Sequence, residues 1–211
     1  MKQPGKILLK VCGMRDADNI LAVSALSPDY MGFIFYPGSK RYVGDNFILP
    51  NGFPTAIKRV GVFVNADSNE IKRLAVLHKL NFIQLHGEET VDQCAELYKM
   101  GLKLVKVFPM SMGFDFNVLK PFEKYVDYFL FDTKSDSRGG SGLVFDWKIL
   151  NDYKLDVPFF LGGGISLENI GQSAVLKNKK LYAVDINSKF EFEPGVKDVN
   201  LIRELQKIIS V

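Results

Sequence analysis

The stretch KVCGMRD, residues 10–16, sets Cys12 at the end of an apolar run and directly before Gly13. A thiol ordinarily titrates near about 8.5, close enough to neutrality to exchange a proton. On position alone two readings of Cys12 stand: a small hydrophobe, or a proton-transfer group at a strand exit. Lys10, two residues earlier, shares its strand face, and at close range its charge favours a thiolate. Asp132 closes the run YFLFD ahead of Thr133 and the glycine-rich RGGSG at 138–142. It is either a turn-capping carboxylate or a general acid kept protonated by desolvation. Cys94 falls on the helical stripe Val91, Cys94, Ala95, Tyr98 and reads as packing.

A second group of residues suits an anion. GGGIS at 162–166 precedes Leu167–Leu176, where Leu167, Ile170 and Ala174 fall at helical spacing. Backbone N–H groups at Gly163 and Gly164, before a helix start, can hold phosphate. The short polar side chains of Asn187 and Ser188 follow the run LYAVDI. Glycine can also serve only a turn, and GGSG at 139–142 reads as a mobile loop. Arg41, in GSKRYV, is either a solvated surface charge or a fork for a carboxylate. His86 is a ligand contact or a structural donor. No Cys or His pair shows metal-ligand spacing, and the expectation is no metal.

Eight short apolar runs must position these groups: 7–12, 30–35, 59–64, 82–86, 102–108, 128–132, 158–163 and 181–186. Each is rich in Val, Ile, Leu or Phe, as strands buried on both faces are. Helix-like segments separate them. Asp67 and Glu70 form a capping-box pattern before Ile71, Leu74 and Ala75, and Leu201, Leu205 and Ile208 form a last stripe. Residues 37–57 and 109–121 hold prolines that oppose regular helix. Alternation of this kind implies parallel pairing, in an open doubly wound sheet or a closed barrel, and with 211 residues in eight units and no domain break a single (β/α)8 barrel over 1–211 is the simpler reading. Cys12, His86, Asp132, Gly163 and Asn187 would then all stand at strand exits, where such barrels carry their chemistry. Strands six and one lie three steps apart around the ring, with backbones roughly 14 Å apart. That spacing admits a small ligand between inward side chains.

The bulk composition fits. Apolar residues make up 47 % and charged ones 24 %, as in an ordinary globular chain. A net charge of +3, with scattered Lys and Arg, gives no footprint for nucleic acid. Two cysteines form no disulfide framework. With no long apolar run for a membrane or signal segment, the expectation is a cytoplasmic protein.

Taken together, KVCGMRD, MGFIFYPGSKRYV (31–43), VGVFVN (60–65), IQLHGEE (83–89), VKVF (105–108), LFDT (130–133), GGSG, FDW (145–147), FFLGGGISLENI (159–170) and AVDINSKFEFEPGVKD (183–198) resemble the phosphoribosylanthranilate isomerase family of tryptophan biosynthesis. The resemblance implies an Amadori rearrangement of N-(5-phosphoribosyl)anthranilate to a 1-deoxyribulose 5-phosphate derivative, without cofactor or metal. It makes Cys12 the base and Asp132 the acid. Arg41 becomes the contact for the anthranilate carboxylate, with His86 beside the substrate. Gly163, Gly164, Asn187 and Ser188 take the phosphate-loop positions. The partner implied is a small phosphosugar, bound by a monomer or homodimer. Two departures stand out: Lys40 replaces a common proline before Arg41, and Lys189 replaces a glycine after Ser188. Another phosphosugar-binding barrel enzyme and a non-catalytic phosphosugar-binding protein are the alternatives.

Overall fold

In the computed structural model, which describes residues 6–133, 146–171 and 174–209, the eight apolar runs form eight parallel strands. They are β1 (Leu8–Val11), β2 (Tyr30–Ile34), β3 (Lys58–Phe63), β4 (Phe82–Leu85), β5 (Leu104–Met110), β6 (Tyr128–Thr133), β7 (Phe159–Leu161) and β8 (Leu181–Ile186). Pairing follows chain order, and β8 closes on β1 through Leu8–Ala183 to Val11–Ile186. The expected closed barrel is therefore observed. β5 runs through Pro109 to Met110, further than its apolar run suggests, and so pairs Pro109 with Asp132 on β6.

Side chains alternate across the barrel wall. Outward residues such as Val11, Phe33, Phe63, Leu85, Phe131 and Ile186 pack under the outer layer. A separate inner cluster includes Tyr30, Val60, Phe82, Val105, Leu130 and Phe160. Near the strand starts Tyr30, Phe82, Tyr128, Phe160 and Tyr182 pack ring against ring, with centroids 4.5 to 5.8 Å apart. This aromatic layer fills the barrel at that end.

The outer helices begin where short polar side chains cap them. Asp16 accepts from Asn19 N (2.8 Å) at α1 (Ala17–Ser24), and Asp67 from Asn69 N (2.8 Å) at α2 (Ser68–Leu77). Thr90 accepts from Gln93 N (3.2 Å) at α3 (Val91–Lys99). The capping box expected at Asp67 is half formed: Asp67 accepts from Glu70 N, while the Glu70 carboxylate pairs with Arg73 at 2.7 Å. The proline-bearing 37–57 connection holds turns, and 116–122 forms a 3-10 helix.

The helix expected over Leu167–Leu176 is divided into α4 (Leu167–Ile170) and a 3-10 turn at Ala174–Lys177. Gly171, with its high backbone entropy, ends the first piece. Beyond β8 a small antiparallel hairpin, β9 (Glu191–Glu193) and β10 (Val196–Lys197), precedes α5 (Val199–Ile209). Its Pro194-Gly195 turn uses φ +94° at the glycine. The GGSG segment at 139–142 and Phe145 lie outside the described residues. Among the described residues no helix is long and apolar enough to cross a membrane.

Candidate active site

Three groups of side chains meet where the strands end. The first is built on β1 and β8. Cys12 N donates to Ile186 O at 2.9 Å, which holds the residue in the closing seam. Its sulfur lies against Gly32, where a Cβ would stand only 2.7 Å from Sγ, so the glycine makes room for the thiol. Lys10, 0 % exposed, donates from Nζ to Asp185 Oδ1 at 2.8 Å, and its charge acts on the Cys12 thiol. Burial pushes the Cys12 thiol up, and Lys10 only partly opposes that rise. The lysine favours the thiolate as its spacing suggested, but desolvation outweighs it. For Lys10 itself burial acts downward, yet Asp185 and Cys12 win and its pKa is raised. Burial also raises Asp185, against the pull of Lys10 and with a further push from Asp132.

The second group is built on β4 and β6. Asp132 Oδ1 accepts from Thr133 N at 2.8 Å, and Oδ2 lies 3.3 Å from His86 Nε2. His86 Nδ1 in turn meets Gln84 Nε2 at 3.0 Å. Gly163 backs directly onto this carboxylate. Its φ is +79°, and a Cβ there would collide with the Thr133 amide and hydroxyl and stand 2.8 Å from Asp132 Oδ1. Gly164 follows at φ +67°. Asn169 secures the loop: its Nδ2 donates to Gly164 O, and its Oδ1 accepts from Ser166 N, both at 2.9 Å.

The third group is built on the loop after β2 and on the β9–β10 hairpin. The buried Arg41 guanidinium clasps Glu191 through Nε (2.8 Å) and Nη2. Glu191 also accepts from Lys197 Nζ at 2.7 Å, and Lys197 donates to Asn187 Oδ1 at 2.6 Å. At Glu191 burial acts upward, but Arg41 and Lys197 hold its carboxyl below the ordinary range. Lys197, 1 % exposed, is pulled down by burial despite Glu191. Gly13 joins this group to Cys12, because a Cβ there would lie 2.6 Å from Arg41 Cδ and 2.7 Å from Asn187 Oδ1.

The residues singled out in the sequence thus fall into two neighbourhoods. Cys12, Arg41 and Asn187 surround Gly13; His86 and Gly163 flank the Asp132 carboxylate. Asp185 joins them, since it holds Lys10 beside Cys12 and lies within electrostatic reach of Asp132 and His86. Ser188 opens a 3-10 turn (Ser188–Phe190), while Lys189 and Lys40 are exposed. Cys94 is buried on α3, with its thiol pushed up to about 11 by burial, and His78 packs on Phe35 and Phe47. Among the described residues no three His, Cys, Asp or Glu side chains could jointly hold a metal. Sequence reasoning left Gln84, Asp185, Glu191 and Lys197 without a role. The first two carry a readable signal: each stands two residues before a strand-exit group and so shares its inward face. Glu191 and Lys197 flank a Pro-Gly turn, the mark of a hairpin.

Comparison with known proteins decides the lineage. The model of the N-(5'-phosphoribosyl)anthranilate (PRA) isomerase family matches residues 9–207. The chain belongs to the phosphoribosylanthranilate isomerase family. A family member from Parabacteroides distasonis is 42 % identical over 207 residues, covering 96 % of this chain and 94 % of its own. The crystal structure of the Thermotoga maritima isomerase superposes with a TM-score of 0.82 at 30 % identity, over 96 % of this chain and 98 % of that one. A second family structure holds reduced 1-(o-carboxyphenylamino)-1-deoxyribulose 5-phosphate. It matches at TM-score 0.77 and 28 % identity with the same coverage.

Proposed function

We propose that this protein isomerises N-(5'-phosphoribosyl)anthranilate through Asp132 as general acid and Cys12 as general base. Asp132 protonates the furanose ring oxygen and the C1–O bond breaks, leaving an iminium at C1. Cys12 then takes the C2 proton, and the resulting enolamine tautomerises to the ketone. Arg41 keeps one edge of its fork on Glu191 and turns the remaining N–H donors to the anthranilate carboxylate. His86 stands beside the sugar. Gly163, Gly164, Asn187 and Ser188 receive the phosphate, on loops that follow the paired strands β7 and β8. Lys197 occupies Asn187 Oδ1, so the side-chain contact to phosphate falls to Nδ2.

The observation that carries this reading is geometric: Cys12, directly after β1, and Asp132, at the end of β6, stand at the same end of one closed barrel, with the Lys10–Asp185 ion pair on the face of the thiol. Free thiols at both cysteines suit a reducing, cytoplasmic setting, and we read 1–211 as one barrel domain acting as a monomer or homodimer. Loss of substrate fluorescence under wild-type, Cys12→Ala and Asp132→Ala protein is the test. Each variant is expected to lose about 10²- to 10⁴-fold in kcat. Unchanged turnover in both would remove the mechanism.

A further inference from the structure

We propose that Gln84 is a positioning residue for the acid step, holding His86 as the Nε2–H tautomer so that its ring donates to the Asp132 carboxylate. The inference rests on the reading of Asp132 as the acid. Gln84 lies on the inward face of β4, two residues before His86, and is 1 % exposed. Its Nε2 meets His86 Nδ1 at 3.0 Å, while its Oε1 is buried with no hydrogen-bond partner among the described residues.

A buried, unpaired amide oxygen carries a desolvation cost that a leucine of similar size would avoid. The amide is explained by its other end. An N–H directed at Nδ1 makes that nitrogen an acceptor, and in a neutral imidazole the proton then sits on Nε2. Nε2 faces Asp132 Oδ2 at 3.3 Å. The opposite tautomer would set a bare nitrogen lone pair against the carboxylate oxygen.

The chemical consequence follows from the direction of proton flow. When Asp132 gives its proton to the ring oxygen, negative charge develops on its two oxygens. Thr133 N–H already meets Oδ1 and His86 Nε2–H meets Oδ2. Donors set in advance on a developing charge lower the barrier rather than tighten ground-state binding. Gln84 touches neither substrate nor reacting atoms; it acts through His86.

Long-range 15N–1H correlation spectra of the full chain at about pH 8, above the ordinary imidazole range, read the tautomer directly. The chain has two histidines, and His78→Gln assigns the His86 signals. The expected result is an unprotonated Nδ1 and a protonated Nε2. Gln84→Glu presents only an acceptor to Nδ1 and should move the proton there. It should lower kcat about tenfold or more, with KM changed less than about twofold. Should that variant fail to fold, Gln84→Met, which offers neither donor nor acceptor, gives the same kinetic reading. A protonated Nδ1 in the wild type, unchanged kcat in the variant, or a loss confined to KM would overturn the proposal. Asp132→Asn separates the two ideas: full turnover there would end the acid reading and leave the wild-type tautomer measurement standing.

Discussion

At the scale of single residues, the thiol of Cys12 is governed by opposed neighbours. Lys10 favours the thiolate, Asp185 disfavours it, and burial exceeds both. Removing each neighbour therefore moves the thiol in a known direction. Lys10→Met deletes the cation, raises the thiol pKa further and shifts the low-pH limb of kcat/KM to higher pH. Asp185→Asn deletes the anion, lowers the thiol pKa and shifts the same limb to lower pH. A pH profile of kcat/KM reports both shifts, since that limb follows formation of the base in the free enzyme. Two variants moving the limb the same way would contradict the arrangement. The sequence placed Lys10 on the face of Cys12 by strand period alone. It could not weigh Lys10 against desolvation, because Asp185 arrives from 175 positions away through the β8–β1 seam.

At the scale of elements, the strand exits are tied by buried polar knots. One lies directly after His86. Lys106 on β5 donates to Glu89 Oε2 (2.8 Å) and Gly87 O (2.9 Å), and Glu89 accepts from the backbone amides of Asn65 and Gly87 at 2.9 Å. Both side chains of the ion pair are almost wholly buried. Lys106→Met leaves the Glu89 charge buried and uncompensated, with an expected loss of about 3–5 kcal/mol in denaturant unfolding. The double variant Lys106→Met/Glu89→Gln, which removes the charge while retaining an acceptor for the two amides, should lose clearly less. Strands were legible throughout the sequence, because runs buried on both faces announce themselves by composition. The segment after β7 was not: its apolar spacing suited ten helical residues, yet Gly171 ends α4 after Ile170. The β9–β10 hairpin shows in the sequence only as a Pro-Gly turn within a family motif. Its function as the support of Glu191 and Lys197 needed the fold, because only the folded hairpin brings the two side chains together and buries them.

At the scale of the whole molecule, closure of β8 on β1 turns scattered strand exits into one rim. That is why Cys12, His86, Asp132, Gly163 and Asn187 stand out by position, whereas Arg41, in the loop after β2, does not. What remained hidden was their pairing: Arg41 with Glu191, His86 with Asp132, and Asn187 with Lys197. The aromatic layer of Tyr30, Phe82, Tyr128, Phe160 and Tyr182 has its own consequence for traffic. With packed rings filling that end of the barrel among the described residues, a reacted molecule leaves by the mouth through which its precursor entered. The doorway therefore serves one visitor at a time. In initial-rate measurements, added product should raise the apparent KM and leave the maximal rate untouched; a fall in maximal rate at saturating substrate would mean that product also binds while substrate occupies the site.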